Sequence, residues 1–446
     1  MRIYSDYQTI NLPWLTAIPA HWCIDRLKNL LYERKENNKP IKTRGILSLT
    51  NTRGVIPYSQ KGNIGNRSKE NLEDYHLAYP NDLVLNSMNV IIGSVGVSSY
   101  YGAISPVYYA LVSRGTISIK YCEYIFRLPT FEESLKGLGN GILEIRRRIP
   151  MTRLNNVALP IPPREEQDQI VRFLDWKVSE INRLINIKHQ NIRTLKELMQ
   201  AEIEKQLAAF DIVETVRLKQ IGTFYKGGGF SRDNLVDDTS CPAILYGDIY
   251  TQYDYKTSHI THYVDAEAYA ASRKISKGDI VMAGTGETKD EIGKSILYTG
   301  EEIVAVGGDV IVFHPHDSIN AEYVLYQLYS HASLKHRYIH GKGDIIVHIY
   351  PTALGNTIIH LPSSEDQKTA ILAINNIIES VNQTISTLEQ EITVLKEFSV
   401  RMVADVVTGK IDVRGIEIPE YEYTAEEADT DSEAEAEELD EGGEEI

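Results

Sequence analysis

The sequence predicts an α+β protein in which two pseudo-repeated α/β globules are separated by two long coiled-coil helices. Three observations predict this fold class: a block of sequence recurs after 200 residues, each copy of the block contains a heptad pattern, and the regions before it hold short strand-like runs broken by turns. The predicted order is first globule 1–163, first helix 164–209, second globule 210–362, second helix with a C-terminal segment 363–415, and tail 416–446.

The internal repeat is the strongest signal in the chain. The segment Pro162–Gln167 (PPREEQ) recurs as Pro362–Gln367 (PSSEDQ), and Leu195-Lys196-Glu197 recurs as Leu395-Lys396-Glu397. Both pairs have the same offset of 200 residues, so no gap lies between them. A proline followed by acidic residues is typical of a helix start, and each copy has one.

A heptad pattern fills the interval between these blocks in both copies. Apolar residues in steps of three and four keep one stripe on one helix face, which suits a coiled coil. Each pattern spans roughly 40 residues, or about 60 Å. An ordinary bundle helix can carry such a stripe, but two gap-free copies favour pairing with each other. The seam positions are Val171, Leu174, Val178, Ile181, Ile185, Lys188, Ile192 and Leu195 in the first copy, where Lys188 is the one break, and Ile371, Ile374, Ile378, Val381, Ile385, Leu388, Ile392 and Leu395 in the second.

The two globules repeat more loosely than the helices. Arg26–Leu30 (RLKNL) is similar to Arg217–Ile221 (RLKQI), and Pro80–Leu85 (PNDLVL) is similar to Lys277–Met282 (KGDIVM). Their offsets of 191 and 197 drift to the 200 of the helix blocks, and the difference between 191 and 200 predicts a net nine extra residues in loops of the second copy. The strand-like runs between Gly, Asn and Asp turns predict α+β globules of roughly 150 residues. Two of these runs are Ile117–Phe126 and Ile303–Phe313.

The net charge is concentrated in the tail. The chain has a formal charge of −16, but residues 416–446 hold 15 acidic and no basic side chains, which leaves 47 acidic against 46 basic residues elsewhere. The segment from Glu417 onward has few large apolar residues to offset the entropy of ordering, so we predict a disordered acidic tail. It could aid solubility, or it could imitate the charge of DNA and weaken nonspecific binding; the sequence leaves both open.

Composition narrows the class of protein. No apolar run reaches the roughly 18–20 residues of a membrane span, and no signal-peptide pattern opens the chain. The cysteines, Cys23, Cys122 and Cys241, are far apart and odd in number, which favours neither a disulfide framework nor a zinc cluster. We therefore expect a cytoplasmic protein.

Sequence motifs for catalysis are missing. Gly284–Ser295 has the glycines, lysine and serine of a phosphate-binding loop, but six residues separate Gly286 from Gly293 where that loop needs four, so we interpret it as a surface loop. Neither the Asn/Asp-Pro-Pro-Tyr/Phe motif of adenine methyltransferases nor a glycine-rich cofactor turn occurs. The histidines of the second half lack metal-ligand spacing. We expect a chain without catalytic residues, cofactor or metal.

These features together resemble the specificity subunits of type I restriction–modification systems. The resemblance rests on the duplicated helix starts, the duplicated Leu-Lys-Glu, the segment Ile18–Trp22 (IPAHW) followed by Arg26–Lys28, and the ending Val407–Arg414 (VTGKIDVR). It covers about residues 13–414 and leaves the acidic tail outside.

The resemblance implies that the chain directs other proteins to DNA. Each globule would be a target-recognition domain for one half of a bipartite double-stranded DNA site, and the helices would pair antiparallel and fix the gap between the halves. Two methyltransferase subunits would supply adenine methylation from S-adenosylmethionine, and two restriction (motor) subunits would use ATP and Mg²⁺. Such a complex protects a prokaryotic cell from phage, in the cytoplasm and at the nucleoid.

Candidate DNA contacts in the first globule follow from charge and residue type. Residues 1–163 carry 20 basic and 12 acidic side chains, a net +8, which suits a DNA-binding domain. Asn side chains can pair with adenine edges, and the arginine triplet is the densest positive patch. Any one of these cations could instead be ordinary surface charge. The candidates are Arg44, Asn51, Arg53, Lys61, Arg67, Lys69, Asn86, Asn89, Arg146, Arg147 and Arg148.

The second globule is less favourable for DNA. Residues 210–362 carry 13 basic and 19 acidic side chains, a net −6, so DNA would have to bind through local patches or with help from partner subunits. Tyrosine is abundant, with 27 residues, and can donate to phosphate or base, although most tyrosines are expected in the core. The candidates are Lys226, Tyr246, Tyr250, Lys289, Lys294, Lys335, Arg337 and Lys342.

A different class of function also fits the architecture. A coiled-coil scaffold or adaptor could carry globules that bind protein or another ligand. The positive first globule and the helix starts argue against it, and the missing catalytic motifs argue against a self-sufficient DNA enzyme.

Overall fold

The computed structural model describes residues 2–51, 53–61, 71–139, 148–210, 214–344 and 346–426. The chain divides into two compact units: unit 1 is Met1–Gln190 with Glu389–Ile446, and unit 2 is Asn191–Leu388. Each predicted globule forms most of one unit. Each of the two long helices contributes residues to both units.

Unit 1 combines short strands with short helices and begins the first long helix. Its strands are β1 (Tyr7–Leu12), β2 (Leu15–Pro19), β3 (Cys23–Arg26), β4 (Leu31–Glu33), β5 (Leu47–Thr50), β6 (Gly54–Pro57), β7 (His76–Ala78), β8 (Leu83–Asn86), β9 (Val95–Val97), β10 (Gly102–Ile104), β11 (Tyr108–Ser113) and β12 (Ala158–Ile161). Its helices are α1 (Leu27–Leu30), α2 (Ile119–Phe126), α3 (Pro129–Leu135), α4 (Met151–Leu154) and the first part of α5 (Arg164–Leu207).

A four-stranded antiparallel sheet in the order β4-β11-β8-β9 forms the centre of unit 1. Strand β8 is buried along its whole length, which places this sheet inside the globule. A separate ribbon pairs β12 with β3 in antiparallel register. Strand β3 lies near the start of the globule and β12 near its end, so this pairing brings the two ends of the globule together just before α5.

Unit 2 has the corresponding elements after α5. Its strands are β13 (Glu214–Arg217), β14 (Gly222–Lys226), β15 (Pro242–Ile244), β16 (Lys256–Thr257), β17 (His262–Tyr263), β18 (Arg273–Ile275), β19 (Ile280–Ala283), β20 (Thr285–Gly286), β21 (Ser295–Tyr298), β22 (Val304–Val306), β23 (Val310–Pro315), β24 (Val347–His348) and β25 (Ile358–Leu361). Its helices are α6 (Tyr246–Thr251), α7 (Ala266–Ala271), α8 (Ala321–Leu328), α9 (His331–His340), α10 (Pro351–Leu354) and the first part of α11 (Ser364–Val407).

The two units repeat one topology. In unit 2 the equivalent sheet has the order β14-β23-β19-β21, with β16 added at its edge. The register also matches: Tyr108 lies opposite Asn86 in unit 1, and Val310 lies opposite Ala283 in unit 2. The ribbon β13–β25 repeats β3–β12. The repeat predicted from the sequence is therefore a repeat of the fold.

The repeated aspartate before the central strand has one role in both units. Asp82 and Asp279 each accept a hydrogen bond, at 2.9 and 2.8 Å, from the backbone N–H three residues earlier. The preceding residues have positive φ, +70° at Asn81 and +95° at Gly278. Asn and Gly tolerate this left-handed conformation best, which explains the recurring Asn/Gly-Asp pair.

The strand-like run Ile117–Phe126 is a helix in the structure, contrary to the prediction. Ser118 caps the helix by accepting from the N–H of Tyr121, and residues 121, 122, 125 and 126 are buried with helical rather than alternating spacing. A short apolar run fits a buried helix as well as a strand, and only packing distinguishes them. The run Ile303–Phe313 does form strands, β22 and most of β23.

Both predicted spacer helices are unbroken α-helices of 44 residues, α5 and α11. In unit 1, Nζ of Lys188 on α5 lies 2.5 Å from Oε2 of Glu391 on α11. In unit 2, Met199 and Ile203 of α5 share a core cluster with Ile374 of α11. Residue numbers rise along one helix as they fall along the other, so the helices are antiparallel. All sixteen seam positions are buried or half-buried.

Three motifs that are far apart in sequence meet in unit 1. Gly409 of the C-terminal motif has φ +77°, and a Cβ there would lie 2.4 Å from Cδ of Pro19 and 2.9 Å from the ring of Trp22. The hydroxyl of Tyr7 donates to the carbonyl oxygen of Gly409 at 3.1 Å. Nε1 of Trp22 donates at 3.0 Å to the buried carboxylate of Glu166, in the first turn of α5. This close packing requires glycine at position 409.

Residues 416–426, predicted to begin a disordered tail, lie against α5 in unit 1. Ser179, Asn182 and Asn186 hydrogen-bond to backbone atoms of residues 422–425 at 2.7–3.2 Å. These hydrogen bonds join side chains of α5 to backbone groups of residues 422–425. They therefore keep the segment on α5 without depending on its side chains. We call residues 416–426 the strap. Residues 427–446 lie outside the described residues. Within the described ranges, no helix has the length and apolar character of a membrane span.

Candidate nucleic-acid interface

The β5–β6 hairpin is the first candidate surface in unit 1. Leu47, Leu49 and Val55 anchor it in a buried core cluster. Gly54 closes its turn with φ +65°. Gly96 of β9 approaches so closely that a Cβ on it would lie 2.9 Å from Cα of Gly54. The hairpin is therefore packed closely against β9, and Arg53 beside Gly54 is exposed.

Four predicted DNA-binding residues lie on this hairpin and its flanking segments. Arg44 and Arg53 are exposed, whereas Asn51 and Lys61 are half-buried. Nη1 of Arg53 donates to the carbonyl oxygen of Gln60 at 3.1 Å, which ties the turn to the residue before Lys61. The hairpin and its flanking segments thus carry three cations, a residue type that can bind phosphates, and one amide, which can bind base edges.

The remaining described candidates of unit 1 differ in their environment. Asn86 is buried, and its Oδ1 accepts from the N–H of Met88 at 3.0 Å, so in this conformation the amide closes a turn inside the fold and its contact with a base stays a prediction. Asn89 is half-buried, at the start of a short helical turn. Arg148 is exposed, with its guanidinium 5.9 Å from the ring centre of Tyr109. Arg67, Lys69, Arg146 and Arg147 lie outside the described residues.

In unit 2 the fold brings three predicted residues together around the segment 284–294. Nζ of Lys294 donates to the carbonyl oxygen of Tyr250 at 3.2 Å, and the Tyr250 hydroxyl donates to the carbonyl oxygen of Thr285 at 3.2 Å. A Cβ on Gly293 would lie 2.7 Å from Cδ of Arg337. Tyr250, Lys294 and Arg337 therefore belong to one cluster, although the sequence separates them widely.

Burial dominates the electrostatics of this cluster. It lowers the pKa of Lys294 and of Arg337, and it raises the pKa of Tyr250. Arg337 is only 2% exposed, and the other two side chains are half-buried. In the structure described, Arg337 is covered by Gly293 and the other two side chains hydrogen-bond within the cluster, so a DNA contact by these three residues stays a prediction.

The other candidates of unit 2 surround the cluster or lie apart from it. Lys335 on α9 and Lys342 after it are exposed, and Lys289 is half-buried. Tyr246, the first residue of α6, is 40% exposed. Lys226 is exposed and lies 3.5 Å from Asp309, an ion pair at the surface.

Two exposed tyrosines near the cluster were missed in the sequence. Tyr338 is 48% exposed and follows Lys335 by one helical turn on α9, so the two side chains share a face. Tyr350 is 49% exposed, two residues after β24. The spacing of three residues between Lys335 and Tyr338 could have indicated a shared surface. That inference needs the histidine-rich stretch to be a helix, which the sequence did not establish.

The loop resembling a phosphate-binding loop is partly a strand. Thr285 and Gly286 are buried in β20, which pairs with β24, and a bend follows Gly286 and ends at Gly293. Within the described ranges, no three His, Cys, Asp or Glu residues are grouped to hold a metal ion.

Comparison with known proteins decides the family. Residues 211–396 match the family described as the type I restriction modification DNA specificity domain. This match covers the second globule and most of α11, and the first globule with α5 repeats the same fold. Residues 211–396 of the chain therefore belong to the type I restriction modification DNA specificity domain family. Because the matched domain recognises DNA, the scaffold alternative gains no support.

One solved structure with a TM-score above 0.5 agrees with the fold of this chain, and two others are similar to it at lower scores. A chain from a structure of complex assembly and conformational transition of the type I R-M system has a TM-score of 0.64 at 14% identity, covering 88% of this chain and 99% of that one. The HsdS subunit from Thermoanaerobacter tengcongensis gives 0.45 at 14% identity, covering 88% and 98%. The S subunit from M. genitalium gives 0.34 at 14%, covering 86% and 96%. No curated protein matches the sequence.

Proposed function

We propose that the chain reads a bipartite double-stranded DNA site, one half with each globule, and directs adenine methylation or restriction by partner subunits. The observation that carries this proposal is the duplication: one chain holds two copies of a fold whose second copy matches a DNA specificity domain. The paired helices α5 and α11 serve as the spacer between the two recognition functions. We place the activity in the prokaryotic cytoplasm, at the nucleoid.

The chain itself is proposed to be non-catalytic. S-adenosylmethionine is bound by the methyltransferase subunits, and ATP and Mg²⁺ are bound by the restriction subunits. What this chain supplies is position, since cations hold the phosphate backbone while polar side chains inspect base edges. In the first globule the hairpin with Arg44, Asn51, Arg53 and Lys61 is the proposed reading element. In the second, the proposed element is the surface of Lys335, Tyr338 and Lys342.

The helices offer a matched pair of apolar positions for partner subunits. Leu198 on α5 is 59% exposed, and Phe398 on α11 is 48% exposed, each directly after a copy of the Leu-Lys-Glu motif. Large apolar side chains exposed at equivalent positions support docking of two copies of one partner. We propose that two methyltransferase subunits dock in this way, and that two restriction subunits complete the complex.

The methylation pattern of host DNA tests the proposed function. We expect a two-part adenine motif to disappear when the gene is deleted and to return with the wild-type gene. The double variants Arg53→Ala, Lys61→Ala and Lys335→Ala, Lys342→Ala each remove two cations that hold phosphates, so each should lower methylation of the whole motif without changing its bases. Asn51→Ala should instead relax one half of the motif at the base that the amide reads, where a mismatch costs about 1–3 kcal/mol. Lys277→Ala, at an exposed lysine paired with Glu301, is the control and should leave the motif intact. An unchanged methylome after deletion would refute the proposal.

A further inference from the structure

Among the residues that the structure describes, Arg337 is a buried cation without a counter-ion. It is 2% exposed on α9, and its Nε and Nη1 donate to no acceptor in the described part of the chain. The groups that act on its charge are the phenols of Tyr329 and Tyr250, which are neutral at pH 7, and no carboxylate of the described residues is among them. Buried guanidinium groups in proteins are normally paired and hydrogen-bonded, so this one lacks the anion that such a site usually holds.

The fold does not require a cation at this position. Helices α2 and α8 begin after the equivalent caps Ser118 and Asn320, and helices α3 and α9 follow at the same offset of 202 residues. At this offset Arg337 corresponds to Leu135, which is fully buried in unit 1. An apolar side chain therefore fills the same place in the first copy, and the arginine is a feature of the second copy alone.

The equivalence of these helices is supported by their contacts. The hydroxyl of Tyr124 on α2 donates to Asp175 on α5 at 2.7 Å, and the hydroxyl of Tyr326 on α8 donates to Asn375 on α11 at 2.6 Å. The two tyrosines are again 202 residues apart. The short helices thus pack on the long helices in the same way in both units. Arg337 and Leu135 therefore occupy equivalent positions in the two copies.

One side of the Arg337 side chain is covered by the bend 287–293, which forms no strand. Gly293 has φ +75° and lies so close that a Cβ would be 2.7 Å from Cδ of Arg337. It ends the bend that begins after Gly286, in which Glu287, Asp290 and Glu291 are exposed. A DNA phosphate near α9 would repel these three carboxylates. The exposed cations Lys335 and Lys342 flank Arg337 in sequence and would attract the same phosphate.

We propose that Arg337 is a DNA-backbone ligand of the second globule, held under the segment 287–293 in the free protein and contacting a phosphate when that segment moves aside. This inference rests on the proposed function and deepens it. It also addresses the charge deficit of the second globule, whose net −6 leaves little attraction for DNA. A buried cation that becomes accessible only on binding increases the affinity for a phosphate at that site. It does not increase nonspecific binding of anions to the free protein.

The test is the variant Arg337→Leu, which copies the residue at the equivalent position of unit 1. It is studied in the full chain co-expressed with its methyltransferase subunit. Removing an unpaired buried charge should raise the midpoint of thermal unfolding by a few degrees, about what 1 kcal/mol gives in a protein of this size. The same variant should weaken binding to a duplex of pooled random sequence about tenfold and reduce the slope of log affinity against log salt by about one.

A matched control and a second probe separate the alternatives. Lys277→Leu, at an exposed lysine elsewhere in unit 2, should change neither the unfolding midpoint nor the salt slope. If Arg337→Leu lowers the midpoint or prevents folding, or if it leaves the duplex affinity and slope unchanged, the inference is wrong. If inorganic phosphate stabilises the wild type but not Arg337→Leu while DNA binding is equal, the ligand is a free anion and not DNA. A wild-type complex that binds no duplex would instead refute the proposed function together with this inference.

Discussion

Glu132 shows how burial changes the chemistry of a single side chain. The carboxyl group lies on α3, with Oε1 2.8 Å from where a Cβ on Gly93 would be. Burial is the largest effect and raises the pKa of Glu132 to about 7, although Arg127 and Lys136 act in the opposite direction. The group therefore changes charge near physiological pH within the positively charged globule.

This pKa makes stability depend on pH in a defined direction. A carboxyl group whose pKa is raised on folding stabilises the protein at low pH, and the contribution is lost as pH rises from about 4.5 through about 7. We expect Glu132→Gln to stabilise unit 1 by about 1 kcal/mol at pH 8 and to have little effect at pH 4. The gain at pH 8 is smaller than the pKa shift alone would give, because the side chain is only half-buried and water screens its charge. Chemical unfolding at the two pH values measures this.

The neighbouring Glu133 provides the control for Glu132. Glu133 is largely exposed and pairs with Lys136 at 2.6 Å. Glu133→Gln should shift stability by a few tenths of a kcal/mol at most, with no rise between pH 4 and pH 8. An equal response of the two variants would mean that Glu132 is not desolvated.

At the scale of elements, α5 and α11 show how a break in a heptad pattern is accommodated. Lys188 occupies a seam position, and its Nζ pairs with Glu391 of the other helix at 2.5 Å. The side chain of Lys188 is 23% exposed and that of Glu391 is 52% exposed, so the pair is partly solvated and contributes modestly. The equivalent position of the second copy is Leu388.

Completing the seam should therefore stabilise the helix pair. We expect Lys188→Leu to raise stability by about 1 kcal/mol, since burying a leucine at a seam position outweighs a half-exposed ion pair. The midpoint of thermal unfolding measures it. Glu391→Gln, which removes the ion pair without adding apolar surface, should lower stability by less than about 1 kcal/mol. A loss of stability in Lys188→Leu would show that the ion pair matters more than the apolar stripe.

The strap shows why composition alone misjudged one element. It belongs to the C-terminal segment from Glu417 onward, whose acidic residues and few large apolar side chains predicted disorder. In unit 1, however, Ser179, Asn182 and Asn186 lie on one stripe of α5 and bind the backbone of the strap. Lys396 of α11 adds an ion pair to Glu426 at 2.7 Å. Backbone hydrogen bonds do not depend on the composition of the segment they hold.

For the whole molecule, the distribution of charge is the feature with the clearest functional consequence. Residues 427–446 carry 11 acidic and no basic side chains, so their removal changes the formal charge from −16 to −5. We expect the chain ending at Glu426 to bind random-sequence duplex about tenfold more tightly at low salt, with the difference vanishing at high salt because screening weakens charge repulsion. Salt titrations of the assembled complex measure this.

A length-matched control distinguishes charge from bulk. A chain in which the acidic residues of 427–446 are replaced by Asn and Gln should behave like the truncated chain. Unchanged DNA affinity in both would favour the simpler role of the tail, which is solubility.

The sequence by itself determined the duplication, the two long helices and their seam. These features depend on spacing along the chain: an offset of 200 residues between Pro162–Gln167 and Pro362–Gln367 is visible without any fold, and a heptad stripe specifies a helix face locally. The family resemblance rests on the same local motifs, which is why the family match agreed with it.

Only the tertiary structure decided which polar side chains reach the surface. Asn86 and Arg337 have the composition of DNA contacts, yet both are buried, because β8 is the inside strand of a sheet and Gly293 packs against α9. It also decided that Ile117–Phe126 contains a helix and that Gly409 packs on Pro19 and Trp22. Burial is set by contacts between residues far apart in the chain, and a pattern read along one segment does not contain them.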